Sequence, residues 1–314
     1  MRVASTERTR SRFALGGEQG RLLRNSLTAY VFLIPTFALI VVFSYYPAFS
    51  ALYHSFTEWN GFAAPRFILF ENFEQMASDR IMLASLRNML IVSLWSLLMA
   101  LVPPLIVAEL IDSLRSDRAQ YWYRLLFVVP IVVPLVVTLY VWNFIYDPDI
   151  GLVKSIFDSF GWELETRMLG DFNNALYFLM LIGFPFASGV NVLIYLAGLQ
   201  NIDQEVRDSA QLDGATALRR VIYIDLPLLK GQIRLLGILA LIGGIQGFQA
   251  QYVLTDGGPG YATMVPGLWM YRQGYNYSEM GYASAIGTVM FILILILTIF
   301  SMHRFRSQTE YVAD

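Results

Sequence analysis

Leu125-Leu-Phe-Val-Val-Pro-Ile-Val-Val-Pro-Leu-Val-Val-Thr-Leu139 is apolar at almost every position, whichever way a helix or strand would turn it. An amphipathic helix of a soluble domain would leave a polar stripe, and a membrane-barrel strand would alternate. Neither pattern is present. The run lies within residues 125–146, which contain no Asp, Glu, Lys or Arg. Five further stretches share that property: 27–57, 88–108, 172–202, 235–255 and 280–303. Each is at least as long as the roughly 20 helical residues that cross a hydrocarbon core. All 22 basic and 24 acidic residues are therefore confined to about half of the 314-residue chain. There they reach the charge density of soluble protein, although the chain as a whole is only 15% charged with a mean hydropathy of +0.52. The expected class is an all-α membrane protein with six transmembrane helices.

Composition excludes several kinds of chemistry. With no Cys and only His54 and His303, a structural zinc site or a disulfide framework is ruled out. A net charge of −2 gives no nucleic-acid footprint. A phosphate-binding loop needs Gly-Lys, but the two lysines, Lys154 and Lys230, follow Val153 and Leu229. The span interiors hold no carboxylate, Lys, Arg or His, whereas proton- and sodium-coupled carriers commonly use intramembrane carboxylates or broken-helix ion sites. No nucleophile–base pair or metal constellation is visible, so no enzyme is expected. Uphill transport by this chain would need energy from another subunit.

Spans near 29–51, 87–109, 124–146, 175–198, 233–254 and 283–303 place 16 Lys and Arg on the side of the N-terminus. The opposite side has six: Arg66, Arg80, Arg87, Lys154, Arg167 and Arg272. That asymmetry predicts an N-in, C-in topology. The basic start is not read as a transit or signal peptide, since Glu7 and Glu18 interrupt it and the apolar run begins only after 26 residues. Trp59, Trp95, Trp142, Trp162 and Trp269 are expected near span ends as interfacial aromatics. Pro35, Pro103, Pro104, Pro130, Pro134 and Pro185 are read as kinks whose freed carbonyls find partners on neighbouring helices. Asn88, Asn143 and Asn191 are read first as helix-packing groups. The chain divides into a basic tail (1–26), a first span with its outer loop (27–86), a core (87–303) and a second tail (304–314).

Within the core, the loop 199–230 has its own logic. It contains Asn201-Ile-Asp-Gln-Glu-Val-Arg-Asp208-Ser209-Ala210-Gln211-Leu212-Asp213-Gly214-Ala215-Thr216 and runs on to Ile224-Asp225-Leu226-Pro227. Residues 203–213 suit a short amphipathic helix, Gly214 permits a sharp change of direction, and Leu218, Val221 and Ile222 suggest a second short helix. Leu226-Pro227 suits the first turn of the next span. Two short helices at an angle make a rigid knob.

This loop resembles the cytoplasmic motif of membrane subunits of ATP-binding-cassette importers: Glu-Ala-Ala, three residues, Gly, nine residues, Ile, one residue, Leu-Pro. Asp208-Ser209-Ala210, Gly214, Ile224, Leu226 and Pro227 stand in register, with Asp for Glu and Ser for Ala. Phe248-Gln-Ala-Gln-Tyr252-Val-Leu254-Thr255-Asp256-Gly257-Gly258-Pro259 resembles the end of the fifth span in carbohydrate-uptake permeases of the maltose-permease type, and Tyr195-Leu-Ala-Gly-Leu-Gln200 is similarly familiar. The resemblance runs from about residue 26 to 305. It implies the type I importer permease fold and a multi-pass place in the cell (inner) membrane. It implies no cofactor in this chain, with ATP and Mg held by two separate cassette ATPase subunits, and also a second permease subunit and an extracytoplasmic sugar-binding protein. Asp208, Ser209, Ala210, Asp213, Gly214, Ala215, Leu226 and Pro227 are then the ATPase-coupling residues. The family's sugar positions fall on Ile131 and Leu135, on Leu179, Ile182, Gly183 and Phe186, and on Gly243, Gly244, Gln246 and Gly247, with Gln249 nearby. Several positions that are polar or tyrosine in the family are aliphatic here, notably Ile131, Leu135 and Leu179. Either the solute differs from maltose, or the partner permease supplies most contacts, or selection resides in the binding protein. Gln246 and Gln249 suit either sugar hydroxyls or interhelical hydrogen bonds. A stand-alone carrier or channel is the alternative.

Overall fold

A computed structural model describes residues 30–162, 167–184 and 187–304. It divides into a first unit that ends at Tyr53 and a second that begins at His54. The first unit's described part belongs to helix α1 (Tyr30–His54), which includes a π-helical turn at Val41–Tyr45. Its side chains are apolar and exposed all round, as in Phe32 and Phe43, which suits a helix whose solvent is lipid.

The second unit opens with a two-stranded antiparallel ribbon, β1 (Thr57–Glu58) and β2 (Arg66–Phe67), and a short helix α2 (Glu71–Ser78). Asn72 on α2 is buried, and its amide donates to the Ser55 and Thr57 carbonyls at 2.9 Å each, which fixes the ribbon. The longest element follows, α3 (Arg80–Asp112), 33 residues without a break. Asp79 starts it by accepting from the Ile81 and Met82 amides. The same carboxylate accepts from Trp269 Nε1 at 2.8 Å and Tyr282 Oη at 2.9 Å, so one side chain ties three segments together.

Pro103 and Pro104 do not interrupt α3. A proline at 104 removes the hydrogen bond to the Ala100 carbonyl, and Asn191 Nδ2 supplies a replacement at 3.1 Å from the helix packed alongside. Asn88 acts in the same manner, donating to the Ala262 and Met264 carbonyls. Both asparagines are packing groups, as the sequence suggests.

Beyond α3 come α4 (Asp117–Val128), a 3-10 turn (Val129–Val132), α5 (Leu135–Ile145), α6 (Leu152–Ser159), α7 (Ala175–Met180) and α8 (Gly189–Gln200). Then α9 (Gln204–Leu212) is followed by α10, which begins at Ala217–Arg220 and continues through a π-turn (Val221–Asp225) into a last turn (Leu226–Leu228). The chain ends in α11 (Lys230–Gln246), α12 (Gln249–Leu254), α13 (Pro266–Tyr271) and α14 (Met280–Arg304). α3 packs between α8 and α11, and Gly244 is what lets α11 approach: a Cβ there would lie 2.8 Å from Ser93 Cα.

Several of the expected spans are interrupted in the structure. Among the described residues, four helices are long and apolar enough to cross a membrane: α1, α3, the 230–254 segment and α14. The third expected span is bent by 93° between Asp117–Val132 and Leu135–Ile145. Pro134 fixes the corner in an extended conformation, so it is more than a kink. The fourth is divided between α7 and α8, and the fifth steps at Gly247-Phe248. Trp95 and Trp269 spend their indole N–H groups inside the protein, on the Met180 carbonyl and on Asp79. Trp95 stands near the middle of α3, and Trp269 is buried against Asp79.

Two apolar cores form at opposite ends of α3. One gathers Met82, Met89, Leu268, Tyr282 and Ile286 near its start. The other gathers Ala108, Ile111, Tyr195, Leu199 and Leu229 near its end.

Candidate transport cavity and coupling knob

Between the two cores lies a cavity of about 350 Å³, within the range of small-ligand sites. α3 lines it with Val92, Trp95, Ser96 and Met99, and α5 with Leu135 and Leu139. The remaining walls are the end of α7 with the turn after it (Leu179, Met180 and Ile182 to Phe184) and the junction of α11 with α12 (Gly243, Gly244 and Gly247 to Gln251). Among the described residues, no charged side chain lines it.

The breaks are held by specific bonds. A helix end leaves carbonyls without intrahelical partners, and at the end of α7 two side chains supply donors. Trp95 Nε1 donates to the Met180 carbonyl at 2.6 Å, and Tyr146 Oη to the Phe178 carbonyl at 3.1 Å. Gly183 then turns the chain at φ +85°, with open space where a Cβ would be. At the other break the Gly247 amide closes onto the Gly243 carbonyl at 2.8 Å. The Gln249 side chain accepts from the Phe248 amide at 3.3 Å.

Of the substrate-path residues expected from the sequence, Ile182, Gly183, Gly247 and Gln249 line this cavity, together with Leu135, Leu179, Gly243 and Gly244. Gln246 is exposed and outside the lining, one residue before the step. Phe186 lies outside the described residues. Sequence reasoning missed Trp95, Ser96, Met99 and Gln251. The available signal was the position of Trp95, eight residues into the charge-free stretch 88–108 and far from either end.

At the far end of α3 the knob has the expected form. α9 ends in a Schellman closure, with Ala215 N–H on the Ala210 carbonyl at 2.9 Å and Gly214 N–H on the Gln211 carbonyl at 3.1 Å. Gly214 makes the turn at φ +74°. Thr216 caps α10 through its side chain, accepting from the Arg219 amide. Ala210 is buried, Asp208 is exposed and accepts from Gln204 Nε2 at 2.8 Å, and Ser209 and Asp213 are exposed. Leu226 and Pro227 sit in the last turn of α10, ahead of a buried Leu229, so they precede the next long helix, which starts at Lys230, and do not form its first turn.

Among polar neighbours, the knob's outer surface exposes three large apolar side chains: Leu212 is 88% exposed, Leu218 69% and Tyr223 74%. Its inner surface is charged and closed. Arg207 Nη1 meets Asp112 Oδ2 at 2.6 Å while Nη2 donates to the Leu199 carbonyl. Arg220 Nε meets Asp225 Oδ2 at 2.9 Å while Nη2 meets Glu109 Oε2 at 3.2 Å. Burial pulls the Arg220 guanidinium towards the neutral form. Asp225 and then Glu109 outweigh that pull and lift it above its ordinary value.

A helical core with a central cavity, broken spans around it and a solvent-facing two-helix knob defines the membrane domain of a transport permease. Residues 100–310 match the model of the binding-protein-dependent transport system inner membrane component, and the chain belongs to that family. The chain is 28% identical over 289 residues to the probable ABC transporter permease protein YurN of Bacillus subtilis, covering 91% of this chain and 99% of that one. It is 27% identical over 281 residues to the multiple sugar-binding transport system permease protein MsmF of Streptococcus mutans, covering 89% and 95%. The fold is shared with a bacterial alginate ABC transporter solved in complex with an alginate pentasaccharide-bound periplasmic protein. That match has a TM-score of 0.80 at 21% identity, over 91% of this chain and 96% of that one. The chain is thus a multi-pass inner-membrane permease subunit of an ABC importer, with no ATPase activity of its own.

Proposed function

We propose that this chain is one of two permease subunits of an ATP-driven sugar importer, and that its cavity is half of the translocation path. It crosses the membrane six times, N-in and C-in, with the third to fifth crossings broken around the cavity. The tail 1–26, first span and loop 27–86, core 87–303 and tail 304–314 are its parts, and the loop 199–230 faces the cytoplasm. There Asp208, Ser209, Ala210, Asp213, Gly214, Ala215, Leu226 and Pro227, with the exposed Leu212, Leu218 and Tyr223, dock one of two cassette ATPase subunits. Those subunits hold ATP and Mg. A second permease closes the cavity, and an extracytoplasmic sugar-binding protein delivers the solute.

The observation that carries this reading is the cavity lining. Sugar hydroxyls need partners and pyranose faces need a flat apolar surface; Ser96, Gln249 and Gln251 offer the first, and the Trp95 indole, fixed by Met180, offers the second. Because no charged group lines it, the cavity favours a neutral saccharide over an acidic one, unlike the alginate named for the structural neighbour. The test is co-purification of a cassette ATPase with the tagged chain. It is followed by uptake into proteoliposomes of radiolabelled maltose, raffinose and glucuronate, supplied with the binding protein. Preference for glucuronate would refute the neutral-sugar reading, and absence of a bound ATPase would refute the importer reading.

A further inference from the structure

The knob is joined by the chain to α8 and to α11, but not to α3, which supplies the cavity with Trp95 and Ser96. Besides the apolar packing of Leu199, Ile202 and Leu229 in the core around Ala108 and Ile111, it is attached to α3 by two ion pairs. Arg207 of α9 and Arg220 of α10 reach Asp112 and Glu109, which are three residues apart and so share one face of the last turns of α3. All of these side chains are largely withdrawn from solvent: Asp112 is 8% exposed, Glu109 11%, Arg207 16% and Arg220 25%. Surface ion pairs slide and are screened, whereas pairs withdrawn from water are held in one geometry and leave an uncompensated charge when a partner is removed. α3 is unbroken from these contacts to the cavity; Trp95 lies about 21 Å from Glu109 at helical rise.

We propose that Arg207 and Arg220 are positioning residues that clamp both knob helices to the last turns of α3, so that α3 moves with the knob and carries its displacement to the cavity wall. The two clamps use different helices on either side of the Gly214 turn, so the knob acts on α3 as one body. α3 is also fixed at its other end by Asp79, which bonds Trp269 and Tyr282. A movement imposed at Glu109 and Asp112 therefore tilts α3 about that end and changes the cavity beside Trp95. This inference rests on the importer reading above.

The experiment uses the permease–ATPase complex in nanodiscs. The chain has no cysteine, so Ser96→Cys gives it a single thiol in the cavity wall. The readout is the rate at which a fluorescent maleimide labels the permease band, with and without MgATP and vanadate. In the otherwise native chain the rate should change at least 3-fold on vanadate trapping. With Arg207→Gln or Asp112→Asn, each of which leaves the Arg220–Glu109 pair, that response should fall by at least half, and with Arg207→Gln and Arg220→Gln together the ratio should fall to near 1, while the ATPase remains bound and hydrolyses ATP. The exchanged pair, Arg207→Asp with Asp112→Arg, should recover at least half of the response. An unchanged ratio in both single variants overturns the clamp, as does an exchanged pair no better than the singles when both accumulate in the membrane. A complex that binds and hydrolyses ATP but shows no response in the native background also overturns it. Failure to bind the ATPase at all overturns the importer reading instead.

Discussion

Gly214 allows the coupling assignment to be tested with a graded perturbation. Its φ of +74° is in the left-handed region, and a Cβ built on it meets nothing within 4 Å. Steric collision is thus absent, and the whole cost of substitution is backbone strain, about 1–2 kcal/mol for an ordinary L-residue. A β-branched residue is worse, and asparagine, which tolerates this region, costs least. Against a domain stability of roughly 5–15 kcal/mol the protein stays folded, but 1–2 kcal/mol shifts a local two-state equilibrium by about 5- to 30-fold. The expected order of ATP-driven uptake is therefore Gly, then Asn, then Ala, then Val, with Gly214→Val reduced by at least about 5-fold at unchanged membrane content. The assay is uptake in proteoliposomes normalised to permease and to ATP hydrolysed, so that lost coupling is separated from lost ATPase. Wild-type uptake by Gly214→Val would refute the reasoning. So would Gly214→Asn being as damaging as Gly214→Val, because chain conformation would then not be the cause.

Further expectations follow from the cavity and its supports. Asn191→Ala leaves the Ala100 carbonyl without its donor and should cost about 1–3 kcal/mol in thermal unfolding of the detergent-solubilised protein. In a Pro104→Ala background, where the helix bond can re-form, the same change should cost much less; equal costs in the double-mutant cycle would disprove the link. Trp95→Ala should raise the half-saturation constant for a neutral saccharide by about 2- to 10-fold, and an unchanged constant across a sugar series would remove Trp95 from the path. Cysteines at Arg115 and Ser159 should be labelled from opposite sides of the membrane, the former from the cytoplasm; labelling from one side would refute the orientation.

The sequence made the knob legible because each of its parts is local chemistry. An amphipathic run over 203–213 and a glycine at the turn after it read the same way in isolation as in the fold. The membrane class was legible because the absence of charge over 20 residues has few other causes. The breaks in the spans were not, because hydropathy reports which solvent a residue prefers and is silent on whether the backbone is continuous. Pro103-Pro104 looks disruptive and is accommodated by Asn191, whereas Gly247-Phe248 looks innocuous and ends a helix. The partner of Trp95 was not legible for a related reason: an indole needs one polar partner, and a headgroup or a carbonyl at the end of a broken helix satisfies it equally.

The bond between Trp95 and Met180 closes one carbonyl, but the chain breaks after α7 and between α11 and α12 put further backbone polar groups beside the cavity, and hydrocarbon does not accept such groups without partners. A lone copy of this subunit in lipid would have to admit water, thin the bilayer or refold those segments. Its lifetime as an orphan should therefore be short, and the amount of importer in a cell would be set by whichever permease is made in the smaller quantity. The geometry that opens a route for solute also makes the subunit dependent on being built in company.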